Sequence, residues 1–390
     1  MGRMVADEKN GFDLLVVGGG IVGMAHALAG ARRGLSVALF ERDGRANGAS
    51  IRNFGFVTVT GQRAGRPWQR ARYSRDVWEQ ILPDAGIPVI HRDLTVVARR
   101  PEALTVLEQF AAGEMGRNCR ILDRAALRQA LPMAAEDAVG GLFSPHERRI
   151  ESRNAVPALA NWLEARHKVT FFRGVAVHAV ESGHIDSTAG RFAAPLIAVC
   201  PGADLVSLFP DRMRAHHLTL CKLQMMRLAA PGWRLPNAVM GDLSLVRYEG
   251  YLPMAGVPAL KARLTQEAGD ALEQGIHVIV VQSADGSLVV GDSHHYAATP
   301  DPFASSLVDD IILRETRALL RMPADLPVVE RWVGFYPSSA EHQAILDQPE
   351  RGILLCQVSS GTGMSTGFAL GEEGLAMLLG EPDPLASSGA

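Results

Sequence analysis

The sequence predicts an α/β protein in which one domain is built on a parallel sheet and another on an antiparallel sheet. Two observations predict the first domain: short apolar runs at residues 14–17 and 36–40, and a glycine-led helical stretch between them. Apolar runs that flank a single helix are typical of parallel strands buried on both faces. The third observation is a concentration of strand-like runs between residues 216 and 335, which indicates an antiparallel sheet.

Composition and charge are those of an ordinary folded protein. The 390 residues leave room for two domains, and 47% of them are hydrophobic and 21% charged. The net charge of −3 provides no basic surface for nucleic acid. We expect a cytoplasmic protein with no membrane partner, because residues 1–12 lack an export signal and no apolar run reaches the ~18 residues of a membrane span. The four cysteines show no metal-binding spacing and are expected to be free thiols.

The first elements form a βαβ unit. It consists of a strand at residues 14–17, a helix at 21–33 and a strand at 36–40, and a further helix is predicted at 67–81. A strand at 88–99 and a helix at 101–113 then lead the chain out of the first domain.

Later segments return to that domain. Short strands broken by glycine occupy residues 169–200, and the runs 277–282 and 288–291 flank an Ala-Asp-Gly turn that is typical of a hairpin. A strand at 353–357, a Gly/Ser/Thr run and an apolar helix from Phe368 follow. We therefore assign residues 1–87, 146–215 and 336–390 to a discontinuous first domain, and residues 88–145 and 216–335 to the second.

A glycine motif stands between the first strand and the first helix. Gly18, Gly20 and Gly23 form GxGxxG, in which missing side chains permit a tight turn and the close approach of a pyrophosphate to a helix N-terminus. Glu41 ends the second strand 18 residues after Gly23, near the separation at which a carboxylate accepts the adenosine ribose hydroxyls. The motif predicts a Rossmann-like dinucleotide site, and it leaves open whether NAD or FAD is bound.

The run VVGGGIVGMAHALAGARRGLSVALFERD resembles the N-terminus of the D-amino acid oxidase family, which includes glycine and sarcosine oxidases. The resemblance implies an FAD-binding Rossmann-like domain with a parallel sheet, and an antiparallel-sheet substrate domain. It also continues through residues 47–53, 198–204 and 359–367, which in that family lie around the flavin. The motif and the resemblance together assign these residues to FAD: Gly18, Gly20, Ile21, Val22, Gly23, Glu41, Arg42, Ser50, Arg52, Asn53, Val175, Gly202, Gly361, Thr362, Gly363, Met364, Ser365 and Thr366.

Two carboxylate anchors of the family are replaced in this chain. Where glycine and D-amino acid oxidases have an arginine in Gly-Leu-Arg-Pro, this chain has Tyr336 in Gly-Phe-Tyr-Pro. Where monomeric sarcosine oxidases have a lysine in the C-terminal glycine-rich loop, it has Ser365. No cysteine stands in residues 338–343, near which those enzymes attach flavin, so the resemblance implies non-covalent FAD.

The segments VRYEGY, residues 246–251, and ADGSLVVGDSHHY, residues 284–296, resemble a branch of the family associated with aminophosphonate breakdown. A phosphonate requires several donors around three oxygens. We expect no metal site, because adjacent histidines on a strand face opposite ways and we find no carboxylate or third histidine at ligand spacing. Lys222 could activate oxygen near the flavin, but we expect it to lie on the surface. The candidate catalytic residues are Arg247, Tyr248, His294, His295 and Tyr336, with Arg331 as a further donor.

The resemblance implies FAD-dependent oxidation of a small amine, with hydride transfer to flavin and hydrolysis of the resulting imine to an aldehyde. The expected substrate is an aminophosphonate, N-methylated in one version, and oxygen is the expected acceptor. Three alternatives stay open: an oxidase of glycine, sarcosine or a D-amino acid, a dehydrogenase with another acceptor, and a non-catalytic FAD-binding protein.

Overall fold

The structure is a computed structural model that describes residues 11–386. The expectation about an export signal rests mainly on residues 1–10, which lie outside the described part, as do the outer limits of the predicted first domain. Among residues 11–386, no helix combines the length and the apolar character needed to cross a membrane.

A six-stranded sheet forms the centre of the first half of the fold. Strand β1 (Leu14–Val17) lies between β2 (Val37–Glu41) and β11 (Leu196–Val199), and both neighbours run parallel to it. All four residues of β1 are buried, which explains its uninterrupted apolar sequence. The predicted βαβ unit is confirmed, with α1 at Ile21–Arg32. The sheet is completed by β7 (Thr170–Arg173) beyond β2, and by β19 (Ile353–Val358) and the antiparallel edge strand β18 (Ala344–Glu350) beyond β11.

Helices pack closely on this sheet because small residues separate them. Helix α10 (Gly363–Leu379) lies against α1, and a side chain at Gly371 would approach the backbone of Ala25 to 2.6 Å. The neighbouring helices are α2 (Arg66–Ile81) and α5 (Ser152–His167). Trp78 of α2 donates from Nε1 to the Met364 carbonyl at 2.9 Å and so joins α2 to the start of α10.

A ten-stranded sheet forms the second half of the fold. Its pairings are antiparallel except that β13 (Ala238–Met240) and β4 (Val89–Ala98) run parallel, which the sequence did not indicate. The predicted hairpin is confirmed: Ile279 pairs with Gly291 and Gln282 with Leu288. The strands of this sheet are β3 (Phe56–Val57), β4 (Val89–Ala98), β5 (Arg120–Asp123), β6 (Gly140–Ile150), β12 (Thr219–Leu228), β13 (Ala238–Met240), β14 (Ile279–Gln282), β15 (Leu288–Gly291), β16 (His295–Ala297) and β17 (Val328–Ser338). A separate three-stranded sheet contains β8 (Val177–Glu181), β9 (His184–Ser187) and β10 (Gly190–Ala193).

Residues 216–335 contain more helix than the sequence predicted. Helix α9 (Ser306–Leu319) buries Val308, Ile311 and Ile312 against the large sheet, at the spacing of one helical face. Helix α10 also begins at Gly363, earlier than the predicted start at Phe368. The division of the chain into domains at the predicted boundaries stays a prediction. The remaining helices are α3 (Pro101–Ala111), α4 (Arg124–Ala130), α6 (Pro210–Ala215), α7 (Val257–Glu267) and α8 (Gly269–Glu273).

Candidate active site

A cavity of ≈ 410 Å³ lies between the two large sheets. One wall consists of the start of α1, with Gly20 and Ile21, and the start of α10, with Gly363. The opposite wall comes from the ten-stranded sheet and the loops beside it, and includes Arg247 and Tyr336. Two helix N-termini therefore border one cavity, and their backbone N–H groups favour negative charge there.

A second cavity of ≈ 150 Å³ lies on the other side of the glycine loop. Gly19, Glu41 and Phe171 are among its lining residues. Glu41 Oε2 accepts a hydrogen bond from the Gly19 N–H at 2.9 Å, and Oε1 accepts one from the Asp43 N–H at 2.9 Å. The two cavities share the loop between β1 and α1, so together they suit a ligand with a diphosphate at its centre and a ring system at each end.

The glycines of this loop are required by geometry. Gly18 has φ +104°, a conformation that side chains disfavour, and a Cβ there would overlap the Cys200 carbonyl oxygen. A Cβ on Gly23 would overlap the carbonyl oxygen of Gly18. The loop is further fixed by Ser50, whose Oγ accepts from the Ile21 N–H at 2.9 Å. The turn therefore keeps the helix N-terminus close to the end of β1.

Most of the residues predicted to hold the cofactor line one of these cavities. Four of them, Gly18, Arg42, Val175 and Thr366, line neither cavity. Gly18 lies against the Cys200 carbonyl within the loop, and Arg42 is exposed and pairs with Asp204 at 2.9 Å. The Thr366 hydroxyl donates to the Thr362 carbonyl. The predicted residues in the linings are Gly20, Ile21, Val22, Gly23, Glu41, Ser50, Arg52, Asn53, Gly202, Gly361, Thr362, Gly363, Met364 and Ser365.

The predicted substrate-binding residues divide into two groups. Arg247, Tyr248, His294 and Tyr336 line the large cavity, and the Tyr336 ring lies against Gly361, where a Cβ would approach it to 3.0 Å. His295 lies outside that lining, and its Nε2 contacts Gln274 Oε1 at 2.9 Å. Adjacent residues on an extended segment point to opposite sides, which explains the separation of the two histidines.

Two further candidates also lie outside the lining of the large cavity. Lys222 is buried and does not lie on the surface. Its ammonium group donates to Asp301 at 2.8 Å and to the Phe303 carbonyl, which compensates the burial of its charge. Its neighbours Cys221 and Leu223 have the alternate orientation on β12, and Leu223 lines the cavity. Arg331 pairs with Asp309 at 2.7 Å. Neither cation is therefore placed to meet a ligand in the cavity.

Sequence reasoning missed two residues that line the cavity beside His294. Asp292 and His277 exchange backbone hydrogen bonds next to the hairpin, and both side chains are buried. Burial raises the pKa of the Asp292 carboxyl to about 7, although the Arg247 charge acts in the opposite direction. Burial lowers the pKa values of His277 and His294 well below the usual range, so both imidazoles are neutral. The expectation that no carboxylate or third histidine accompanies His294 was wrong.

The glycine loop shared by two cavities, together with the facing antiparallel sheet, is the arrangement expected of a dinucleotide-binding protein. A family model described as FAD dependent oxidoreductase matches residues 13–376, and the chain belongs to that family. The protein is therefore an FAD-dependent oxidoreductase.

Comparisons with individual proteins agree with this family. The chain is 24% identical to one of the subunits of opine oxidase from Rhizobium meliloti, over 92% of this chain and 91% of that protein. It is 26% identical to the corresponding opine oxidase protein of Agrobacterium tumefaciens, with the same coverage. Its fold is similar to that of glycine oxidase from Geobacillus kaustophilus, with a TM-score of 0.77, 19% identity and 96% and 97% of the two chains covered. Iminodiacetate oxidase from Chelativorans gives a TM-score of 0.72, 18% identity and 95% of each chain.

The fit of the cavities to FAD gives a prediction about Glu41. Changing Glu41 to Gln keeps an oxygen acceptor but removes its charge, so charge-assisted bonds become neutral ones. We expect the dissociation constant for FAD to rise about tenfold, which corresponds to about 1.4 kcal/mol. Titration of apoprotein with FAD, followed by flavin fluorescence, measures this change. The control is Asp43→Asn, which makes the same charge change at an exposed neighbour, and equal affinities in the two variants would contradict the ribose assignment.

Proposed function

We propose that the protein oxidises a small amine that carries an anionic group, and that this group is a phosphonate. Arg247 is the observation that carries the proposal. It lines the cavity, and its Nη2 donates to the Tyr296 hydroxyl at 2.7 Å. Among the ion pairs of the described residues, none involves Arg247. A cation in a cavity wall with a neutral partner suits an anionic ligand.

The arrangement of donors favours three separated oxygens over a planar carboxylate. Tyr248, Tyr296 and Tyr336 line the same cavity as Arg247. Burial raises the pKa of Tyr336 well above its usual value, so its hydroxyl is protonated and can donate. Ser365, at the position where sarcosine oxidases have lysine, accepts instead from the Thr58 N–H at 2.8 Å. Separate donors around a tetrahedral group suit a phosphonate better than a carboxylate.

In this proposal FAD, when bound, supplies the acceptor for a hydride from the carbon that bears the amine. The residues of the chain orient the substrate: Arg247 holds the anionic group, and the apolar side chains of Leu223 and Met225 exclude water from part of the cavity. Water then hydrolyses the imine to an aldehyde and a smaller amine or ammonia. Oxygen is the proposed final electron acceptor, and a cytoplasmic location is the proposed setting.

A second candidate is oxidation of a secondary amine with carboxylates at both ends. It is favoured by the similarity of the chain to two opine oxidase proteins, and by a second guanidinium in the lining. That guanidinium belongs to Arg52, whose one side-chain hydrogen bond within residues 11–386 is donated to the Val333 carbonyl at 3.5 Å. A dehydrogenase with a different acceptor, and a non-catalytic FAD protein, are the remaining alternatives.

Matched substrate pairs test the proposal. Aminomethylphosphonate is compared with glycine, 2-aminoethylphosphonate with β-alanine, and each N-methyl derivative with its carboxylate analogue. We expect anaerobic bleaching of the flavin to have a higher kcat/KM for the phosphonate of at least one pair. N-Carboxyalkyl amino acids complete the panel and represent the second candidate.

Each class of outcome has a distinct meaning. Faster bleaching by every carboxylate member would reject the phosphonate assignment, and selective bleaching by the N-carboxyalkyl amino acids would establish the second candidate. Failure of every amine would support the non-catalytic alternative. Peroxide formation compared with dye reduction then separates an oxidase from a dehydrogenase.

A further inference from the structure

The side chains of His277, Asp292 and His294 meet at the wall of the large cavity. One ligand atom from each of them lies within 4.8 Å of the other two, and the three residues are between 4% and 8% exposed. They form the one such group of potential metal ligands found in residues 11–386.

The three groups approach closely without hydrogen bonds between them. His277 Nε2 lies 3.1 Å from Asp292 Oδ1, yet that oxygen has no hydrogen-bond partner. His294 Nε2 lies 3.6 Å from Asp292 Oδ2, which is beyond hydrogen-bonding distance. One potential ligand atom from each of the three residues thus lies close to the other two in a buried site. A buried carboxylate oxygen without a hydrogen-bond partner is unfavourable, and a bound cation would compensate it.

The tautomer of His294 is set by its surroundings. Its Nδ1 lies 2.8 Å from the Gly275 carbonyl, which can only accept, so Nδ1 carries the proton. The Nε2 lone pair therefore faces Asp292. A backbone carbonyl that fixes the distal nitrogen in this way is the usual arrangement around a metal-bound histidine.

The distances within the cluster favour a metal ion over a substrate ammonium group. Ligand atoms about 2.0–2.2 Å from a tetrahedral metal lie about 3.4 Å from each other. Acceptors about 2.8 Å from an ammonium nitrogen lie about 4.6 Å apart. The separations of 3.1 Å between His277 Nε2 and Asp292 Oδ1, and of 3.6 Å between His294 Nε2 and Asp292 Oδ2, are closer to the metal value than to the ammonium value.

We propose that His277, Asp292 and His294 bind a divalent first-row cation, such as Zn²⁺, in the wall of the active-site cavity. Two imidazoles and one carboxylate leave a coordination position open towards the cavity. One carboxylate only partly neutralises the ion, and Arg247 lines the same cavity, so an anionic oxygen completes the coordination. This last step rests on the proposed function, because the oxygen would belong to the phosphonate of the substrate.

The test counts metal in the holoprotein without any amine. Protein treated with a chelator is dialysed against Zn²⁺, and bound zinc per FAD is measured by atomic emission. We expect one zinc per chain in the wild type, and at least a hundredfold weaker binding in Asp292→Asn and His294→Ala. The control His295→Ala removes a neighbouring imidazole outside the cavity and should bind zinc as the wild type does. Absence of stoichiometric zinc, or equal loss in the His294 and His295 variants, would overturn the site.

X-ray absorption at the zinc edge of the wild type keeps the test independent of variant folding. We expect two imidazole nitrogens and oxygen ligands, and sulfur ligands would reject the assignment. Inorganic phosphate then probes the open position: flavin absorbance should report at least tenfold tighter phosphate binding with zinc than without it. Equal phosphate affinity would overturn the role in anion binding. Zinc is counted without amine, so the zinc result remains valid even if no amine reduces the flavin. If phosphonates bleach the flavin of zinc-free protein, the proposed function remains supported without the metal site.

Discussion

Changing Gly23 to Ala should abolish FAD binding at micromolar cofactor and lower the free energy of unfolding by about 1–3 kcal/mol. The added Cβ would overlap the backbone carbonyl of Gly18, which cannot move without opening the turn between β1 and α1. Displacement of α1 would move the N–H groups of the glycine loop away from the expected position of the diphosphate. Loss of two charge-assisted bonds of about 1.5–3 kcal/mol each weakens binding by more than a hundredfold. FAD titration and urea denaturation of the apoprotein measure the two effects.

Two glycine controls separate cofactor binding from packing. Gly30→Ala lies on the same helix, but its Cβ would meet the end of the Leu14 side chain, at 2.7 Å, and no backbone atom. It should change stability and leave FAD affinity within a few-fold of wild type. Gly44→Ala meets nothing within 4 Å and should change neither quantity. If Gly23→Ala lost stability but retained FAD affinity, the glycine loop would not be the diphosphate site.

The local elements of the parallel sheet could be predicted from sequence because their burial is uniform. Every residue of Leu14–Val17 is apolar and buried, and the glycines that follow permit the tight turn into α1. Helix α9 was missed because Ile311, Ile312 and Leu313 form a short apolar run that also suits a strand. The parallel pairing of β13 with β4 was missed because it joins segments more than a hundred residues apart, and no local pattern specifies such a contact.

In the candidate site, too, contacts between distant segments could not be predicted from local sequence. Asp292 and His294 are two residues apart, so an extended chain places them on one side, and this signal was available. His277 reaches them only through the register of the hairpin, in which Ile279 pairs with Gly291. Sequence reasoning identified the hairpin but did not extend its register to residue 277. The assignment of Lys222 to the surface was wrong because its partner, Asp301, comes from a distant loop.

Arg247→Ala should raise KM for the substrate about 10- to 150-fold with little change in kcat. The guanidinium is placed to bind an anionic group remote from the reacting carbon, and such a group is held alike in the ground state and the transition state. Loss of a hydrogen bond to a charged group costs about 1.5–3 kcal/mol, which sets this range. Arg247→Lys keeps the charge without the planar fork and should lie between the alanine variant and the wild type. Stopped-flow reduction of the flavin gives the substrate dissociation constant and the rate of reduction separately.

A third arginine of the lining provides the control for Arg247. Arg63 also lines the cavity, but its guanidinium pairs with Glu249 at 3.5 Å and its side chain is 47% exposed. Because solvent and a carboxylate already compensate its charge, Arg63→Ala should change the substrate dissociation constant by less than about threefold. Equal effects of the two variants would mean that general positive charge, and not a specific contact, attracts the substrate. A fall in the reduction rate without a change in substrate affinity would instead place Arg247 next to the reacting carbon, and the anionic group would then require a different anchor.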